Sequence, residues 1–269
     1  MVSRLDQELV TRGLARSRTE GARLIADGRV SIGGVAQSKA AKNVDATTPI
    51  KVKATEGEEF VSRAGHKLAG ALAVFDRVSV DGKRCLDAGA STGGFTDVLL
   101  RRGADHVEAV DVGHDQLVPE LRANPRVHVH EGMNVRYLDP DNIGGTVQLV
   151  VADLSFISLT LVMKALARAT DPGGDLVLMV KPQFEIGREQ LSRTGVVNSP
   201  LQRRKAVDSV LAAGYEAGLS VHGLARSPLP GQDGNVEFFL WLQKDAERNV
   251  TASALSRVDT GAWPDVDYS

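Results

Sequence analysis

Residues 84–95, RCLDAGASTGGF, join a short apolar run to a turn that contains three glycines and follows an acid. The run has the length of a buried strand, and the residues after the turn have the pattern of a helix. Glycine lets the backbone approach a ligand closely, and the N–H groups at a helix N-terminus attract negative charge. The stretch therefore predicts either an ordinary strand-to-helix corner or the floor of a nucleotide-like cofactor site.

The segments around this turn alternate between strand and helix patterns. Predicted strands cover residues 84–88, 106–112, 127–131, 147–154, 175–181, 219–224 and 237–243, and predicted helices cover 94–102, 158–169 and 200–217. Such alternation predicts an α/β fold with a seven-stranded, mostly parallel sheet covered by helices on both faces, as in Rossmann-like proteins.

Bulk composition excludes several classes of protein. The 269 residues are 42% hydrophobic and 25% charged, which is ordinary for a globular chain and argues against a disordered or fibrous one. Cys85 is the single cysteine, so the chain has no internal disulfide and no cysteine-based zinc cluster; no metal site is expected. Neither a signal peptide nor an apolar run of roughly 18 residues is present, so we expect a cytoplasmic protein with no membrane partner.

The N-terminal segment differs from the rest in charge and pattern. Residues 1–55 hold ten basic and five acidic residues, a net charge of +5, whereas the remainder holds 22 and 29, a net charge of −7. The pattern predicts helices over residues 3–13 and from Ser17, with Glu20 completing a capping box, and strands over 29–32 and 49–52 joined through a Gly33-Gly34 turn. A basic segment on an acidic body indicates a polyanionic partner or merely a solvated surface.

Residues 5–34, LDQELVTRGLARSRTEGARLIADGRVSIGG, resemble the S4 RNA-binding domain. The resemblance implies that basic helices grip the sugar-phosphate backbone of folded RNA. The arginines expected to contact RNA are Arg4, Arg16, Arg18, Arg23 and Arg63. We expect an S4-like domain over residues 1–55, a linker over 56–61, a larger domain over 62–245 and a polar tail over 246–269, in which Trp263 is the expected apolar anchor.

Two acids favour a cofactor site over a plain corner. Asp87 precedes the glycine-rich turn, and Asp111 ends the next strand. Asp111 lies at about the sequence separation, roughly 20 residues, at which an acid in nucleotide-binding folds bonds to ribose hydroxyls. An acid facing a pyrophosphate would be repelled, but it can pair with the ammonium of an amino-acid tail. S-adenosylmethionine therefore fits better than a dinucleotide, while the alternative is that Asp87 caps a turn and Asp111 is solvated. Cys85 is interpreted as core packing.

Residues 152–156, ADLSF, indicate which group receives the methyl. Enzymes that methylate an exocyclic amine commonly carry Asn/Asp-Pro-Pro-Tyr/Phe here, and this chain does not. Enzymes that methylate carbon 5 of a pyrimidine need a cysteine near this position, and the single cysteine, Cys85, lies before the glycine-rich turn. A ribose hydroxyl remains, and it needs a base because it is a feeble acid. Lysine can serve if burial and a second cation lower its pKa from about 10.4. The candidates are Lys67 and Lys181, with Asp153 and Glu237 as acids that orient the ammonium.

This set resembles the Lys-Asp-Lys-Glu tetrad of the FtsJ-like ribose 2'-O-methyltransferases. Five blocks in order, SRAGHKL, LDAGASTGGFTDVLL, VVADLSFISL, VKPQFE and SPLPGQDGNVEFFLWL, are more closely similar to the TlyA family, which joins an S4 domain to an FtsJ-like domain. The resemblance spans nearly the whole chain. It implies methylation of cytidine ribose in 16S and 23S rRNA by lysine-assisted deprotonation of the 2'-hydroxyl and in-line methyl transfer.

The resemblance also implies roles for individual residues. Lys181 is the expected base, and Lys67 assists it and positions the ribose, with Asp153 and Glu237 completing the catalytic set. The residues expected to bind S-adenosylmethionine are Asp87, Gly89, Ala90, Ser91, Thr92, Gly93, Gly94, Asp111, Asn134, Asp153 and Phe156. The expected partner is ribosomal RNA within ribosomal subunits, and the protein is expected to be a monomer without an obligate protein partner.

Two other functions stay open at this level. An RNA-binding assembly protein that keeps an old cofactor fold would bind RNA without turnover, and the tetrad argues against it. Members of this family have also been labelled haemolysins, which implies a membrane-active protein, and the absence of a spanning run argues against that.

Overall fold

The computed structural model describes residues 2–15, 18–26, 28–53, 60–187, 189, 191, 194–231, 233–245 and 266–269. The chain divides into two compact units, Met1–Glu59 and Phe60–Ser269. Residues 56–59 of the predicted linker and residues 246–265 of the predicted tail lie outside the described residues, as do Arg16, Ser17 and Trp263. Phe60, which was assigned to the linker, is buried in the core of the second unit.

The first unit contains two helices and two small antiparallel sheets. Its elements are β1 (Val2–Arg4), α1 (Leu5–Thr11), α2 (Arg18–Ala26), β2 (Val30–Ile32), β3 (Val35–Ala36), β4 (Asn43–Asp45) and β5 (Ile50–Val52). Strand β1 pairs with β4, and the other sheet has the order β3-β2-β5. Leu5, Leu9 and Ile25 fill the core between the helices and these strands.

Two local predictions in this unit are resolved by backbone geometry. The predicted helix over residues 3–13 begins only at Leu5, because Ser3 pairs with Val44 in the β1–β4 ladder. Gly33 and Gly34 have φ values of 57° and 84°, the left-handed conformations that a two-residue hairpin turn of type I′ requires. The predicted turn is confirmed, but it leads into β3, which was not predicted, and not into the strand predicted over 49–52.

The second unit is built on one seven-stranded sheet. Its strands are β6 (Arg84–Ala88), β7 (His106–Val110), β8 (Val127–His130), β9 (Val147–Ala152), β10 (Thr170–Val180), β11 (Leu219–Arg226) and β12 (Phe238–Lys244). The strand order is β11-β12-β10-β9-β6-β7-β8. Only β12 runs antiparallel to its two neighbours, so the predicted mostly parallel sheet is confirmed.

Helices cover both faces of this sheet. They are α3 (Arg63–Val74), α4 (Gly94–Arg101), α5 (Pro119–Arg122), α6 (Met163–Ala169), α7 (Pro182–Glu185) and α8 (Pro200–Glu216), with short 3₁₀ turns at Val135–Tyr137, Pro140–Ile143 and Leu159–Leu161. Alternate residues of β9 separate the two cores: Leu149 and Val151 pack with α3 and α4, whereas Val150 and Ala152 pack with α6 and α8. The continuous apolar run of β9 follows from burial on both faces.

Several predicted boundaries in this unit were wrong. Helix α3, which contains Lys67, was not among the predicted helices; Gly65 and Gly70 within it make room for Phe60 and Pro228. Ser158 accepts a hydrogen bond from Thr160 N, which makes the start of the predicted helix over 158–169 a separate 3₁₀ turn. Asp111, Lys181 and Glu237 stand just outside the strands to which they were assigned.

Replacing Phe239 by alanine tests the two-faced core. The ring is fully buried in β12 and stacks on Phe95 at a centroid distance of 6.2 Å. We expect Phe239→Ala to lower the free energy of unfolding by about 3–5 kcal/mol in urea titrations, because the change leaves a cavity. Val74→Ala is the control, since Val74 is 63% exposed and its loss should change stability by less than about 0.5 kcal/mol. Equal effects of the two changes would contradict the described core.

Candidate active site

The candidate site lies where the chain reverses its direction of travel across the sheet. From β6 the chain moves outward through β7 to β8, and it then returns to place β9 on the other side of β6 and β10 beyond it. Ligands of open α/β sheets bind at such a point, beyond the carboxyl ends of the strands. The glycine-rich turn after β6 and the segment after β9 are at that point.

Close backbone packing joins these two segments. Gly89 has φ 89°, and a Cβ atom there would lie 2.8 Å from the carbonyl oxygen of Asp153. Gly93 has φ 97°, and a Cβ atom there would lie 2.3 Å from Leu121 Cδ1. Ser91 between them also has a positive φ, of 46°, which is uncommon for a residue other than glycine. The turn therefore requires its glycines for both conformation and space.

Asp111 ties the turn to the segment after β7. Its Oδ2 accepts a hydrogen bond from Ser91 N at 2.8 Å, and its Oδ1 accepts one from Gly113 N at 2.7 Å. The hydroxyl of Ser91 donates to Gln116 Oε1 at 3.0 Å. A small pocket at this position is lined by Ala90, Ser91, Ala109, Asp111, Gly113, Gln116, Leu117, Val129 and Glu131.

Asp87 is the most unusual acid of the unit, because it is fully buried with one oxygen unsatisfied. Thr96 Oγ1 donates to its Oδ2 at 2.7 Å, whereas its Oδ1 has no hydrogen-bond partner among the described residues. Burial raises the pKa of Asp87 to about 7, and the charges of Asp153 and Asp111 act in the same direction. A buried acceptor without a donor is costly, and such atoms are expected where a ligand supplies the donor.

The four predicted catalytic residues come together at this end of the sheet. Lys67 on α3 donates to Glu237 Oε2, and both side chains are buried. Lys181 Nζ lies 2.7 Å from Asp153 Oδ1 and donates to Ser155 Oγ at 2.9 Å. Burial raises the pKa of Glu237, and the charges of Lys67 and Lys181 oppose that shift. The result is one cluster of two lysine–carboxylate pairs.

Helix α3 is held in place by an unusually close contact with α4. A Cβ atom on Gly65 would lie 3.1 Å from the carbonyl oxygen of Gly94, and a Cβ atom on Gly94 would lie 3.0 Å from Gly65 N. The two glycines let the first turns of the helices touch. Lys67 is two residues beyond Gly65, so this contact sets its distance from the glycine-rich turn.

The remaining predicted cofactor residues are more exposed. Thr92 and Asn134 are exposed, and Asn134 caps the 3₁₀ turn Val135–Tyr137 by accepting from Arg136 N at 2.9 Å. Phe156 has φ 64° and is 92% exposed, with its ring 5.3 Å from that of Phe184. Asn134 and Phe156 therefore face solvent, whereas Asp87 is fully buried.

Three contributors to the site escaped the sequence predictions. Thr96 bonds to Asp87, and Ser155 bonds to Lys181. Glu185 accepts from Ser158 Oγ at 2.5 Å and from Leu159 N at 2.9 Å, which fastens the segment after β9 to α7. Each lies within a sequence block that also holds a predicted residue, but polar side chains of this kind carry no periodic signal that would mark them.

The predicted RNA-contacting arginines have different surroundings. Arg4 makes two hydrogen bonds to Asp6, at 3.0 and 2.9 Å, and Arg18 reaches the same carboxylate at 3.5 Å. Both guanidinium side chains remain largely exposed, at 44% and 60%. Arg63 begins α3 in the second unit. Arg16 and the side chain of Arg23 lie outside the described part of the chain.

A second polar cluster lies on strands β6 to β8, with Arg84 and His106 at the starts of their strands. The imidazoles of His106 and His128 lie beside the buried carboxylate of Glu108 in an arrangement with the spacing of metal ligands. Glu108 already accepts a hydrogen bond from Arg84 at 2.9 Å and bonds to His130 at 2.7 Å. The carboxylate is thereby compensated within the protein.

Comparison with known proteins identifies the class. Residues 60–244 match the FtsJ-like methyltransferase family, and residues 3–49 match the S4 domain. With the sheet order and the site described above, these matches define an S-adenosylmethionine-dependent methyltransferase joined to an S4 domain.

Similar proteins indicate which family of methyltransferases the chain belongs to. The chain is 51% identical over 94% of both chains to the Mycobacterium tuberculosis protein named 16S/23S rRNA (cytidine-2'-O)-methyltransferase TlyA. It is 35% identical to Hemolysin A of Brachyspira hyodysenteriae, over 87% of this chain and 97% of the relative. A Streptococcus thermophilus structure described as a hemolysin superposes with a TM-score of 0.73 at 39% identity, over 96% and 95% of the two chains. The chain belongs to the TlyA family of FtsJ-like methyltransferases.

The haemolysin names of two relatives raise the question of membrane contact. None of the helices in the described part of the chain combines the length and the hydropathy that a bilayer crossing requires.

The unsatisfied buried acid predicts a specific dependence of stability on pH. The folded protein keeps the proton of Asp87 up to a pKa of about 7, while the unfolded chain loses it near the ordinary value of about 4. The contribution of Asp87 to stability therefore falls as pH rises through this window. Relative to wild type, Asp87→Asn should gain about 2 kcal/mol in the free energy of unfolding between pH 5 and pH 8. Urea titrations of the ligand-free proteins measure this difference. A loss of stability of Asp87→Asn relative to wild type between pH 5 and pH 8 would contradict the burial of Asp87 without a cationic partner.

Proposed function

We propose that the protein transfers a methyl group from S-adenosylmethionine to the 2'-hydroxyl of cytidine in 16S and 23S rRNA. The observation that carries the proposal is the buried cluster in which Lys67 pairs with Glu237 and Lys181 pairs with Asp153, next to the glycine-rich turn. A ribose hydroxyl needs a base at this position, and lysine is the only basic side chain in the cluster. The name of the M. tuberculosis relative supports the choice of rRNA and of cytidine ribose.

The residues at the carboxyl ends of β6 and β7 fit S-adenosylmethionine. The Oδ1 of Asp87, which has no partner among the described residues, can accept a hydrogen bond from the ammonium of the amino-acid tail. A phosphate is negatively charged and could not pair with this carboxylate. Gly89 and Gly93 let the turn pack closely against Asp153 and Leu121, and Asp111 is the candidate acceptor for ribose hydroxyls. Ala90, Ser91, Thr92, Gly94 and Asn134 complete the proposed binding set. When bound, this cofactor supplies a methyl group activated by a sulfonium centre.

The chain's own residues handle the proton. In its neutral form, Lys181 Nζ accepts the proton of the 2'-hydroxyl, so the oxygen gains the nucleophilicity that the neutral hydroxyl lacks. Asp153 and Ser155 hold Nζ in place, and the Asp153 carboxylate stabilises the ammonium that forms. Lys67, fixed by Glu237, contributes a second cation that binds and orients the ribose oxygens.

An aromatic pair, with Phe156 exposed and Phe184 half-buried, offers a place for the base of the target nucleotide. Phe156 is three residues beyond Asp153, Phe184 is three residues beyond Lys181, and their rings are in contact. An enzyme that modifies a nucleotide in folded RNA must take it out of its stack, and an aromatic face stabilises the displaced base. The 92% exposure of Phe156 favours this role over contact with the cofactor.

The first unit supplies affinity for RNA. S4 domains bind RNA, and the positive charge of residues 1–55 favours contact with the phosphate backbone. Asp6 pre-orients Arg4 and Arg18 from one carboxylate, leaving their exposed faces for phosphates, and Arg16 and Arg23 are proposed to extend that contact. Arg63, in the second unit, is proposed as a separate RNA contact. Acting on ribosomal subunits, the protein would work in the cytoplasm as a monomer without an obligate protein partner.

Lysine 181 provides the central test of the proposed reaction. Lys181→Ala should lower methyl transfer from radiolabelled S-adenosylmethionine to purified 30S and 50S subunits by about 100-fold or more, because it removes the base. Lys164→Ala, at an exposed lysine on α6, is the matched control and should transfer at the wild-type rate. Nuclease digestion of the product and mass spectrometry should find the label as 2'-O-methylcytidine.

Three results would contradict this proposal. Full transfer by Lys181→Ala would remove the lysine from the mechanism, and label on a base instead of ribose would exclude the acceptor. Tight binding of subunits by the wild-type protein with no transfer at all would favour the assembly role.

Asp87 allows the cofactor contact to be tested separately. Asp87→Asn should weaken S-adenosylmethionine binding by about 30-fold or more in calorimetric titrations, since a buried charge partner is worth about 2 kcal/mol or more. Its affinity for methylthioadenosine, which lacks the amino-acid tail, should equal that of wild type. Asp115→Asn is the control, because Asp115 is exposed and its left-handed backbone suits asparagine. Equal losses for both ligands would argue against pairing of Asp87 with the ammonium.

A further inference from the structure

The segment Val266–Ser269, called here the brace segment, lies against the strand that follows Glu237. The ring of Tyr268 is 5.1 Å from that of Phe238, and Val266 packs against the same core. Asp267 forms an ion pair with Arg226. Arg226 and Phe238 are themselves opposite each other in the β11–β12 ladder. The brace segment therefore contacts both β11 and β12 at the end next to Glu237.

Arg203 connects the brace segment to a neighbouring loop. This arginine of α8 is only 7% exposed, and it donates from Nη1 to Tyr268 O at 2.7 Å and from Nε to Val197 O at 2.9 Å. Burial lowers the pKa of Arg203, and the charge of Asp267 opposes that shift. A buried guanidinium is costly to place unless its donors are satisfied, so both carbonyls are held firmly.

From Val197 the connection continues to Glu237. Val197 N donates to Asn235 Oδ1 at 2.9 Å, and Gly231 N donates to Asn235 O at 2.8 Å. A Cβ atom on Gly231 would lie 2.7 Å from Glu237 Oε1, so this loop packs directly on the carboxylate. Ser227 N also donates to Glu237 O at 2.8 Å. The carboxylate is thus confined by a loop whose other side is tied to Arg203.

We propose that Tyr268 and Arg203 are positioning residues that hold the Glu237 carboxylate against Lys67. Neither touches the reacting groups; they act through Asn235 and the segment from Ser227 to Glu237. The effect on turnover rests on the proposed function, because Lys67 and Glu237 matter to the rate only if the cluster performs the methyl transfer. The effect on the Lys67–Glu237 pair does not depend on it.

Chemical labelling of Lys67 in the full chain measures the pair without reference to activity. Reductive methylation followed by peptide mass spectrometry should label Lys67 slowly in wild type and several-fold faster in Tyr268→Ala. Tyr268→Phe should match wild type, because the Tyr268 hydroxyl is buried without a hydrogen-bond partner in the described structure. Lys83, paired with Asp175 where β6 begins, is the internal reference and should keep its wild-type rate.

Turnover and a second variant complete the test. In Tyr268→Ala, kcat should fall several-fold at unchanged KM for S-adenosylmethionine, and Tyr268→Phe should restore it. Arg203→Lys, which keeps the charge but cannot bridge two carbonyls in the same way, should give an intermediate labelling rate even if Tyr268→Ala folds poorly. Unchanged labelling of Lys67 in both variants, or a parallel rise at Lys83, would overturn the proposal. If Lys67 is labelled faster in Tyr268→Ala but the wild-type protein methylates no rRNA, the positioning role is supported and the proposed function is refuted.

Discussion

The contact between the turn after β6 and the segment after β9 constrains everything around the site. Gly89 passes so close to the carbonyl of Asp153 that no side chain fits between them. This approach places Asp87, Asp111 and Asp153 within electrostatic reach of one another, which helps to raise the pKa of Asp87 to about 7. The turn proposed to bind the cofactor and the Lys181–Asp153 pair proposed for catalysis therefore share one backbone contact, and neither could move without the other.

Four separate elements supply the lysine–carboxylate cluster. Lys67 comes from α3, Asp153 and Lys181 follow β9 and β10, and Glu237 precedes β12. Three of the charges are buried and Asp153 is half-buried, each beside an opposite partner. Removing one member of such a pair is costly, because it leaves the other charge uncompensated in an apolar environment. The cluster consequently depends on the contact of Gly65 with Gly94 on one side and on the loop before Glu237 on the other.

The two units of the chain divide the task that we propose. The S4 unit is small and basic, with Arg4 and Arg18 organised around Asp6, whereas the methyltransferase unit is acidic and holds Lys67 and Lys181 beside carboxylates. Affinity for a polyanion and chemistry at one hydroxyl make opposite demands on charge, since the first needs exposed cations and the second needs a desolvated one.

The sequence by itself determined the sheet, its helical cover and the type of site. The strand β6 was predicted to the residue, because a short segment that leads directly into a glycine-rich turn has few alternatives. The order of motifs identified the four catalytic candidates. Only the tertiary structure decided that Lys67 lies within a helix, that Asp87 keeps an unpaired oxygen, that Phe156 is exposed, and that Tyr268 packs beside Glu237's strand. The physical reason is that periodicity and motifs report local conformation, whereas burial and pairing depend on residues that are far apart in the chain and meet only when it folds.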